Sequence, residues 1–345
     1  MSPLPSELGY RMPAEWEPHQ STWISWPHNE ETWPDELENV EATMAEVVRI
    51  LSLSETVRIN VNSAEHRRRA VDALARIGTV GDVRFHEVPT NDAWVRDYGP
   101  LFVLGRSGEL AATVWGFNSW GGKYPPYVLD DEAGAKMAAE LDVPVFDGGM
   151  VLEGGSIDVN GSGLLLTTES CLINPNRNPE MSRQEIEDRL KGFLGVECVI
   201  WLREGIAGDD TDGHIDDIAR FVSPSTILVT VPSDPEHDDF AALSEAAEHL
   251  REFSSTSGSN LEVLELPVPE PLFVKGERMP ASYANFYVGN RTVLVPTFRD
   301  SNDETALAML RRHFPTRDVV GIDCSELIWG LGAFHCLTQQ VPRGR

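Results

Sequence analysis

The chain has 345 residues and a formal net charge of −27, because 55 aspartates and glutamates outnumber 28 lysines and arginines. This charge argues against nucleic-acid binding, which requires a basic surface to neutralise phosphates, and it favours the approach of small cations. No apolar run approaches the roughly 20 residues that cross a bilayer, and the first residues lack the pattern of a signal peptide. We therefore predict a cytoplasmic protein that contacts neither nucleic acid nor membrane.

The four cysteines are widely spaced and form no CxxC pair, a pattern typical of a reducing compartment. Three of them lie in or beside apolar segments and are predicted to be structural thiols: Cys171, Cys198 and Cys324. The fourth, Cys336, is flanked by polar residues close to the end of the sequence. It is the candidate nucleophile.

The N-terminal segment, residues 12–27, is rich in Trp and Pro and is predicted to be extended. Apolar residues at helical spacing then predict a helix over residues 34–53. After it, the order strand, helix, strand and polar loop recurs five times. The strands before the helices are predicted at residues 57–61, 109–115, 164–168, 227–231 and 293–295. Those before the polar loops are predicted at residues 83–88, 143–146, 198–202, 261–266 and 318–322.

Capping residues define several of the intervening helices. Ser63 is predicted to begin one helix and Gly78 to end it, while boxes starting at Ser182 and Ser301 begin two others. Two further helices are predicted over residues 131–141 and 236–253. The repeat has a period of roughly 50–70 residues and no linkers, which predicts one supersecondary unit arrayed in a closed ring. The polar loops then converge near its axis.

These loops bring together side chains with complementary chemistry. Loops one, two, three and five supply Asp97, Glu153, His214 with Asp216, and Cys336, and loop four supplies Tyr283 and Asn285. A cysteine and a histidine provide a nucleophile and a proton shuttle, and one carboxylate can orient the histidine. Two carboxylates remain. They suit a guanidinium, which is planar, permanently charged and able to donate paired N–H groups.

The set predicts hydrolysis of a guanidine. The Cys336 thiolate attacks the guanidinium carbon, and His214 protonates the departing ammonia to leave a covalent thiouronium. His214 then activates water, which releases a ureido product and the free thiol. The bound cation favours the thiolate, because nearby positive charge lowers a thiol pKa. We predict no metal and no other cofactor.

Several segments resemble signature blocks of the agmatine deiminase family, a Porphyromonas-type peptidyl-arginine deiminase family within the guanidine-modifying (pentein) superfamily. They are NDAWVRDYGP at 91–100, LEGGSI at 152–157, DTDGHIDD at 210–217 and HCLTQQ at 335–340. The opening EWEPHQSTWISWP at 15–27 matches as well. The resemblance therefore spans nearly the whole chain.

The resemblance implies one catalytic domain over residues 1–345, a five-bladed α/β propeller (pentein) of pseudo-fivefold ββαβ modules. It implies agmatine as the substrate, with N-carbamoylputrescine and ammonia as products. The implied roles are Cys336 as nucleophile, His214 as acid and base, Glu153 as its orienting carboxylate, Asp97 and Asp216 as guanidinium ligands, Trp94 as a slot wall, and Asp210 as partner of the amine tail. One block departs from the family, because Leu331 and Ala333 interrupt the usual glycine run. They are expected to reshape the substrate loop.

Alternatives stay open. One alternative is a deiminase of free, methylated or peptidyl arginine, for which we would expect an arginine near the pocket mouth. Another is a non-catalytic polyamine-binding propeller, which would not need every catalytic position filled. A cysteine peptidase or amidase would need an oxyanion hole instead of spare carboxylates. A metal site is disfavoured, because adjacent residues tend to point apart; its ligands would be His214, Asp216, His335 and Cys336. The oligomeric state is open, with a homo-oligomer as one alternative.

Overall fold

The computed structural model describes residues 3–78 and 81–345, which form a mixed α/β structure. The strands in chain order are β1 His19–Ser25, β2 Thr56–Asn60, β3 Val83–His86, β4 Leu101–Leu104, β5 Leu110–Gly116, β6 Val145–Val151, β7 Asp158–Val159, β8 Leu164–Thr168, β9 Cys198–Leu202, β10 Ala219–Ser223, β11 Thr226–Thr230, β12 Glu262–Leu266, β13 Phe273–Val274, β14 Glu277–Arg278, β15 Tyr287–Val288, β16 Thr292–Thr297, β17 Asp318–Asp323 and β18 Gln339–Pro342.

Helices connect the strands. They are α1 Leu37–Leu51, α2 Ala64–Ile77, α3 Val95–Tyr98, α4 Ser119–Gly122, α5 Val128–Glu140, α6 Glu169–Leu172, α7 Arg183–Leu194, α8 Phe240–Ser257 and α9 Asp303–His313. Three 3₁₀ turns span Gly154–Ser156, Ile215–Asp217 and Leu327–Gly330. Among the helices described, none has both the length and the apolar character needed to cross a membrane.

Within the described residues, five of the sheets share one plan. In each, neighbouring strands run parallel and a further strand pairs antiparallel with the first of them. Three strands are parallel in the sheet β18-β1-β2-β3, and two are parallel in the sheets β4-β5-β6, β7-β8-β9, β10-β11-β12 and β15-β16-β17. A small hairpin, β13-β14, is separate. The parallel strands and the helix between them correspond to the recurring unit predicted from sequence.

The antiparallel strand of each sheet is the element missing from the sequence-based prediction. Each polar loop runs directly into one of these strands, β4, β7, β10, β15 or β18, so each loop joins one sheet to another. Two of them, β7 and β15, are only two residues long, and the others have four or five residues, too few for a clear periodic signal. The last of them, β18, pairs with β1 through Gln339 opposite Trp23. The chain segment after Cys336 therefore packs into the sheet that begins the chain.

The predicted helix caps are confirmed at three of four positions, among them Gly78, which ends α2 in the left-handed conformation. Ser63 accepts a hydrogen bond from the His66 amide, and Ser182 and Glu185 form a complete capping box. The box predicted at Ser301 is wrong, because α9 begins after Asn302. The Asp303 carboxylate instead accepts hydrogen bonds from backbone amides of the preceding loop, which holds that loop against the first turn.

Tryptophans of the N-terminal segment anchor the main hydrophobic core. Trp23, Trp26 and the nearby Trp33 are fully buried. The same apolar cluster continues through Trp94 to the Cys336 loop. The first strand and the Cys336 loop are therefore buried in the same apolar core, which fixes the position of the candidate nucleophile.

Gly195 and Gly258 end α7 and α8 in the left-handed conformation, with φ of 66° and 71°. We expect Gly258→Ala to lower the free energy of unfolding by about 1 kcal/mol, because a β carbon disfavours this conformation. That carbon would meet no described atom within 4 Å. Gly195→Ala should cost more, because its β carbon would lie 2.4 Å from the Tyr10 carbonyl oxygen. Urea denaturation gives both values, and equal losses would contradict this ranking.

Candidate active site

The loops that join neighbouring sheets meet around Cys336. Asp97 lies in α3, Glu153 precedes the first 3₁₀ turn, and His214 and Asp216 lie at the second. All five of these side chains are buried. The structure therefore brings the predicted thiol, imidazole and carboxylates to one place.

The thiol of Cys336 lies between an amide and a carboxylate. Asn285 Nδ2 donates to its Sγ at 3.0 Å, and Sγ lies 3.6 Å from Asp216 Oδ2. The Asn285 Oδ1 also accepts from the backbone N–H of His335 at 3.0 Å. Asn285 thus fixes both the thiol and its loop. The sequence placed Asn285 in the fourth loop but gave it no role.

Electrostatics at the thiol oppose a free thiolate. Burial raises the pKa of Cys336 well above its ordinary value, and the charges of Asp216, Asp217 and Asp97 raise it further. The hydrogen bond from Asn285 works in the opposite direction but is outweighed. A cation among these carboxylates would reverse the balance and favour the thiolate.

Asp97 is held by two donors and faces the imidazole. Trp120 Nε1 donates to Oδ2 at 2.9 Å, the Gly155 amide donates to Oδ1 at 3.0 Å, and His214 Nδ1 lies 3.6 Å from Oδ1. Burial raises the pKa of Asp97 to about 6. Burial also disfavours a charged His214, but Asp97, Cys171 and Asp216 outweigh it and raise the pKa of His214 well above its usual range. The imidazole is therefore suited to donate a proton at neutral pH.

Glu153 is oriented by an arginine that the sequence-based analysis missed. Arg177 Nε donates to Glu153 Oε1 at 2.6 Å, and Arg177 Nη1 lies 2.7 Å from Asp212 Oδ2. The second carboxylate oxygen of Glu153 finds no hydrogen-bond partner among the described residues. Glu153 also lies close to His214, with ligand atoms of the two side chains within 4.8 Å. Arg177 lies in the polar segment NPNRNP. It is the single cationic residue of that segment, which was the sequence feature that could have indicated a partner for a buried carboxylate.

His335 connects the site to the N-terminal segment. Its Nδ1 lies 2.6 Å from Asp216 Oδ2, and its Nε2 lies 2.8 Å from Glu15 Oε2, which Arg220 Nη2 also approaches at 3.0 Å. Burial opposes ionisation of Asp216, but the hydrogen bond and charge of His335 lower the pKa of this carboxyl. The expectation that His335 and Cys336 point apart is wrong, because both contact the same Asp216 oxygen.

A cavity of about 700 Å³ opens onto Cys336 and Asp97. Trp94 lines it, as predicted, and stacks at 5.3 Å between ring centroids on Trp33. Asp210 lines it too, although its carboxylate accepts a hydrogen bond from the Tyr124 hydroxyl. The predicted slot-wall and tail residues therefore share one cavity with the thiol.

The two residues that interrupt the glycine run have different positions. Leu331 lines the cavity and adopts φ of 69°, the left-handed region that favours glycine. Ala333 is buried in the apolar core. Of these two, Leu331 contributes to the cavity wall and Ala333 to the packing of the loop.

Cys171 is the cysteine whose surroundings differ most from the prediction. It is buried, as expected of a structural thiol, but its sulfur belongs to a group with Glu153 and His214 whose ligand atoms lie within 4.8 Å of one another. Burial raises the pKa of Cys171, and so does the charge of Glu153. The set of metal ligands considered from sequence did not include Cys171 or Glu153.

The chain is similar to known proteins over nearly its whole length. The sequence model of the Porphyromonas-type peptidyl-arginine deiminase family matches residues 11–342. An agmatine deiminase of Pseudomonas aeruginosa is 36% identical, and the alignment covers 99% of this chain and 98% of the relative. The agmatine deiminase structure of Enterococcus faecalis aligns with a TM-score of 0.93 at 33% identity, over 99% of this chain and 98% of that one.

A C. jejuni agmatine deiminase with substrate bound aligns with a TM-score of 0.88 at 32% identity, over 97% of each chain. An amidinotransferase from Microseira wollei shares the fold alone, with a TM-score of 0.55 at 12% identity. The fold is thus a mixed α/β fold of the amidinotransferase and pentein type. Because the family match spans most of the sequence, the chain belongs to the Porphyromonas-type peptidyl-arginine deiminase family.

Proposed function

We propose that the protein hydrolyses agmatine to N-carbamoylputrescine and ammonia. The observation that carries this proposal is the charge of the cavity above Cys336. Among the described residues that line it, only Lys123 is permanently cationic, whereas six carry carboxyl groups: Glu30, Glu31, Asp92, Asp97, Asp130 and Asp210. Lys123 is itself paired with Asp212 at 2.9 Å. Such a cavity suits a slender substrate with a cation at each end, and relatives of this chain are agmatine deiminases.

The guanidinium is proposed to bind between Asp97 and Asp216, beside the Cys336 sulfur. Its positive charge balances the surrounding carboxylates and lowers the pKa of the Cys336 thiol, whose proton leaves to solvent. The thiolate then donates its electron pair to the guanidinium carbon. His214 gives its proton to the nitrogen that leaves as ammonia, and a thiouronium on Cys336 remains.

Release of the product uses the same groups in reverse order. His214, now neutral, takes a proton from a water molecule that attacks the thiouronium carbon. The carbon–sulfur bond breaks, the ureido product leaves, and the thiol is restored. Glu153 is proposed to orient His214 during both steps with the oxygen that Arg177 leaves free.

The fold proposed for this site is a five-bladed α/β propeller that occupies residues 1–345 as one catalytic domain. Five similar sheets support it, and so does the pairing of β18 with β1, which joins the two ends of the described chain. The ring would place every sheet-joining loop near one axis.

Deimination of an arginine derivative is the second candidate. Its carboxylate or peptide group would need a donor at the far end of the cavity, and an arginine would be the ordinary choice. Of the described lining residues, none is an arginine. The cavity therefore favours an amine tail over a carboxylate.

Ammonia release from agmatine, free arginine and a blocked arginyl peptide tests the function directly. We expect turnover of agmatine and a loss of at least about 1000-fold in Cys336→Ser, because the alcohol is a poor nucleophile here. Cys198→Ser is the matched control, because this half-exposed thiol lies in β9, and its activity should equal that of the wild type. Preferred turnover of arginine would replace the substrate, and an active Cys336→Ser variant would overturn the mechanism.

The amine tail is proposed to bind Asp210. Burial raises the pKa of this carboxyl, and an ammonium beside it would favour the charged form. Asp210→Asn should raise KM for agmatine about tenfold or more with a smaller change in kcat, because a charge-assisted hydrogen bond is lost. Glu30→Gln removes the same charge from an exposed lining residue and should change KM less than threefold. Equal effects in the two variants would refute the specific role.

Gly155 allows the catalytic groups to approach one another. A β carbon there would lie 2.6 Å from His214 Nδ1, 2.8 Å from Asp97 Oδ1 and 3.1 Å from Asp216 Oδ2. We expect Gly155→Ala to lower kcat/KM about 100-fold or more, because displacement of reacting groups is costly. At Gly116 a β carbon meets its nearest atom at 3.5 Å, an ordinary contact, so Gly116→Ala should stay active. Steady-state kinetics compares them, and an active Gly155→Ala enzyme would contradict the geometry.

A further inference from the structure

We propose that Glu153, Cys171 and His214 form a binding site for a thiophilic divalent cation such as Zn²⁺. A carboxylate oxygen, a thiol sulfur and an imidazole nitrogen lie within 4.8 Å of one another, and all three side chains are buried. These are the ligand types that Zn²⁺ prefers. The proposed reaction needs no metal, so this site is additional to the catalytic function.

The second observation is a set of unsatisfied polar atoms in the same place. Glu153 Oε2 and both ring nitrogens of His214 are buried and have no hydrogen-bond partner in the described chain. An unpaired buried polar group costs about 1–3 kcal/mol. A cation that accepts electron pairs from the carboxylate and the imidazole would remove this cost.

The site is already organised by the backbone. The Thr168 hydroxyl accepts a hydrogen bond from the Cys171 amide at 3.3 Å and donates to the Gly213 carbonyl at 2.6 Å. One side chain therefore fixes the cysteine relative to the residue that precedes His214. Arg177 fixes the third ligand by binding the other oxygen of Glu153. Tetrahedral zinc ligands lie about 3.5 Å apart, so closure requires shifts of about 1 Å.

Charge balance is also favourable. The carboxylate of Glu153 and the thiolate of Cys171 together neutralise a divalent cation. The thiol proton of Cys171 and the imidazolium proton of His214 both leave to solvent when the metal–sulfur and metal–nitrogen bonds form. Arg177 does not add an uncompensated charge, because it is also paired with Asp212. The cavity comes nearest to the site at Asp97, which lines it and lies 3.6 Å from His214, so an entering cation must pass this carboxylate.

Metal occupancy would engage the imidazole that the proposed reaction uses for proton transfer. Binding of the cation and turnover would then exclude each other, and a thiophilic metal would inhibit the enzyme away from its nucleophile. This consequence rests on the proposed function, whereas the metal site itself does not. Its test therefore uses protein without the Cys336 thiol, in which no turnover is needed.

The test is a titration of the full-length Cys336→Ser protein with Cd²⁺, followed by the ultraviolet cadmium–thiolate absorption band. We expect the band to saturate at one Cd²⁺ per chain. Adding Cys171→Ser should abolish it, whereas adding Cys198→Ser, the matched control, should leave it unchanged. A band that survives without Cys171 would place the cadmium on another thiol, and the absence of any band would show that no thiophilic ion binds; either result would overturn the site.

A second variant tests the same site without removing Cys171, in case the loss of this thiol disturbs folding. Adding His214→Ala to Cys336→Ser keeps the thiol and removes one ligand, so the band should remain while the affinity for Cd²⁺ falls at least about tenfold. Circular dichroism checks that each variant is folded. An unchanged affinity without the imidazole would show that His214 is not a ligand and would refute the proposed set.

Discussion

The burial of more carboxylates than cations around one thiol is the constraint on which this site depends. Asp97, Asp216 and Asp217 lie near Cys336 and raise its pKa. Isolated buried charges cost several kcal/mol each, so such a group persists only where hydrogen bonds and neighbouring charges hold it. Here Trp120, the Gly155 amide and His335 supply those bonds to Asp97 and Asp216. The carboxylates around Cys336 still lack enough neighbouring positive charge, and a bound guanidinium would supply it.

Two other buried carboxylates, Glu15 and Glu153, are paired with arginines. Burial opposes ionisation of Glu15, but Arg220, His335 and Arg96 together outweigh it and lower the pKa of this carboxyl. Glu153 is paired with Arg177. These ion pairs connect the N-terminal segment and the sheet β7-β8-β9 to the loops around Cys336. They act as rigid supports, because breaking a buried pair leaves an uncompensated charge. The pairing of β18 with β1 adds a backbone link between the same regions, so the position of Cys336 depends on both ends of the described chain.

Much of the fold could be predicted from the sequence because its signals are local. Apolar spacing located α1, and capping residues located the start of α2 and of α7. The antiparallel strands after the polar loops were missed, because β7 and β15 have only two residues and the other three have at most five, too few for a clear alternation. The capping box at Ser301 was wrong for a related reason, since Asp303 satisfies tertiary hydrogen bonds with the preceding loop that no short motif reveals.

The sequence by itself determined the residue types of the catalytic set, the family they resemble and the loops that carry them. It did so because a thiol, an imidazole and spare carboxylates have a chemistry that is independent of their exact placement. Only the tertiary structure decided that Asn285 contacts the Cys336 sulfur, that Arg177 holds Glu153, and that Cys171 lies beside His214. These contacts join residues far apart in sequence, and their geometry is set by packing between sheets, which leaves no local pattern.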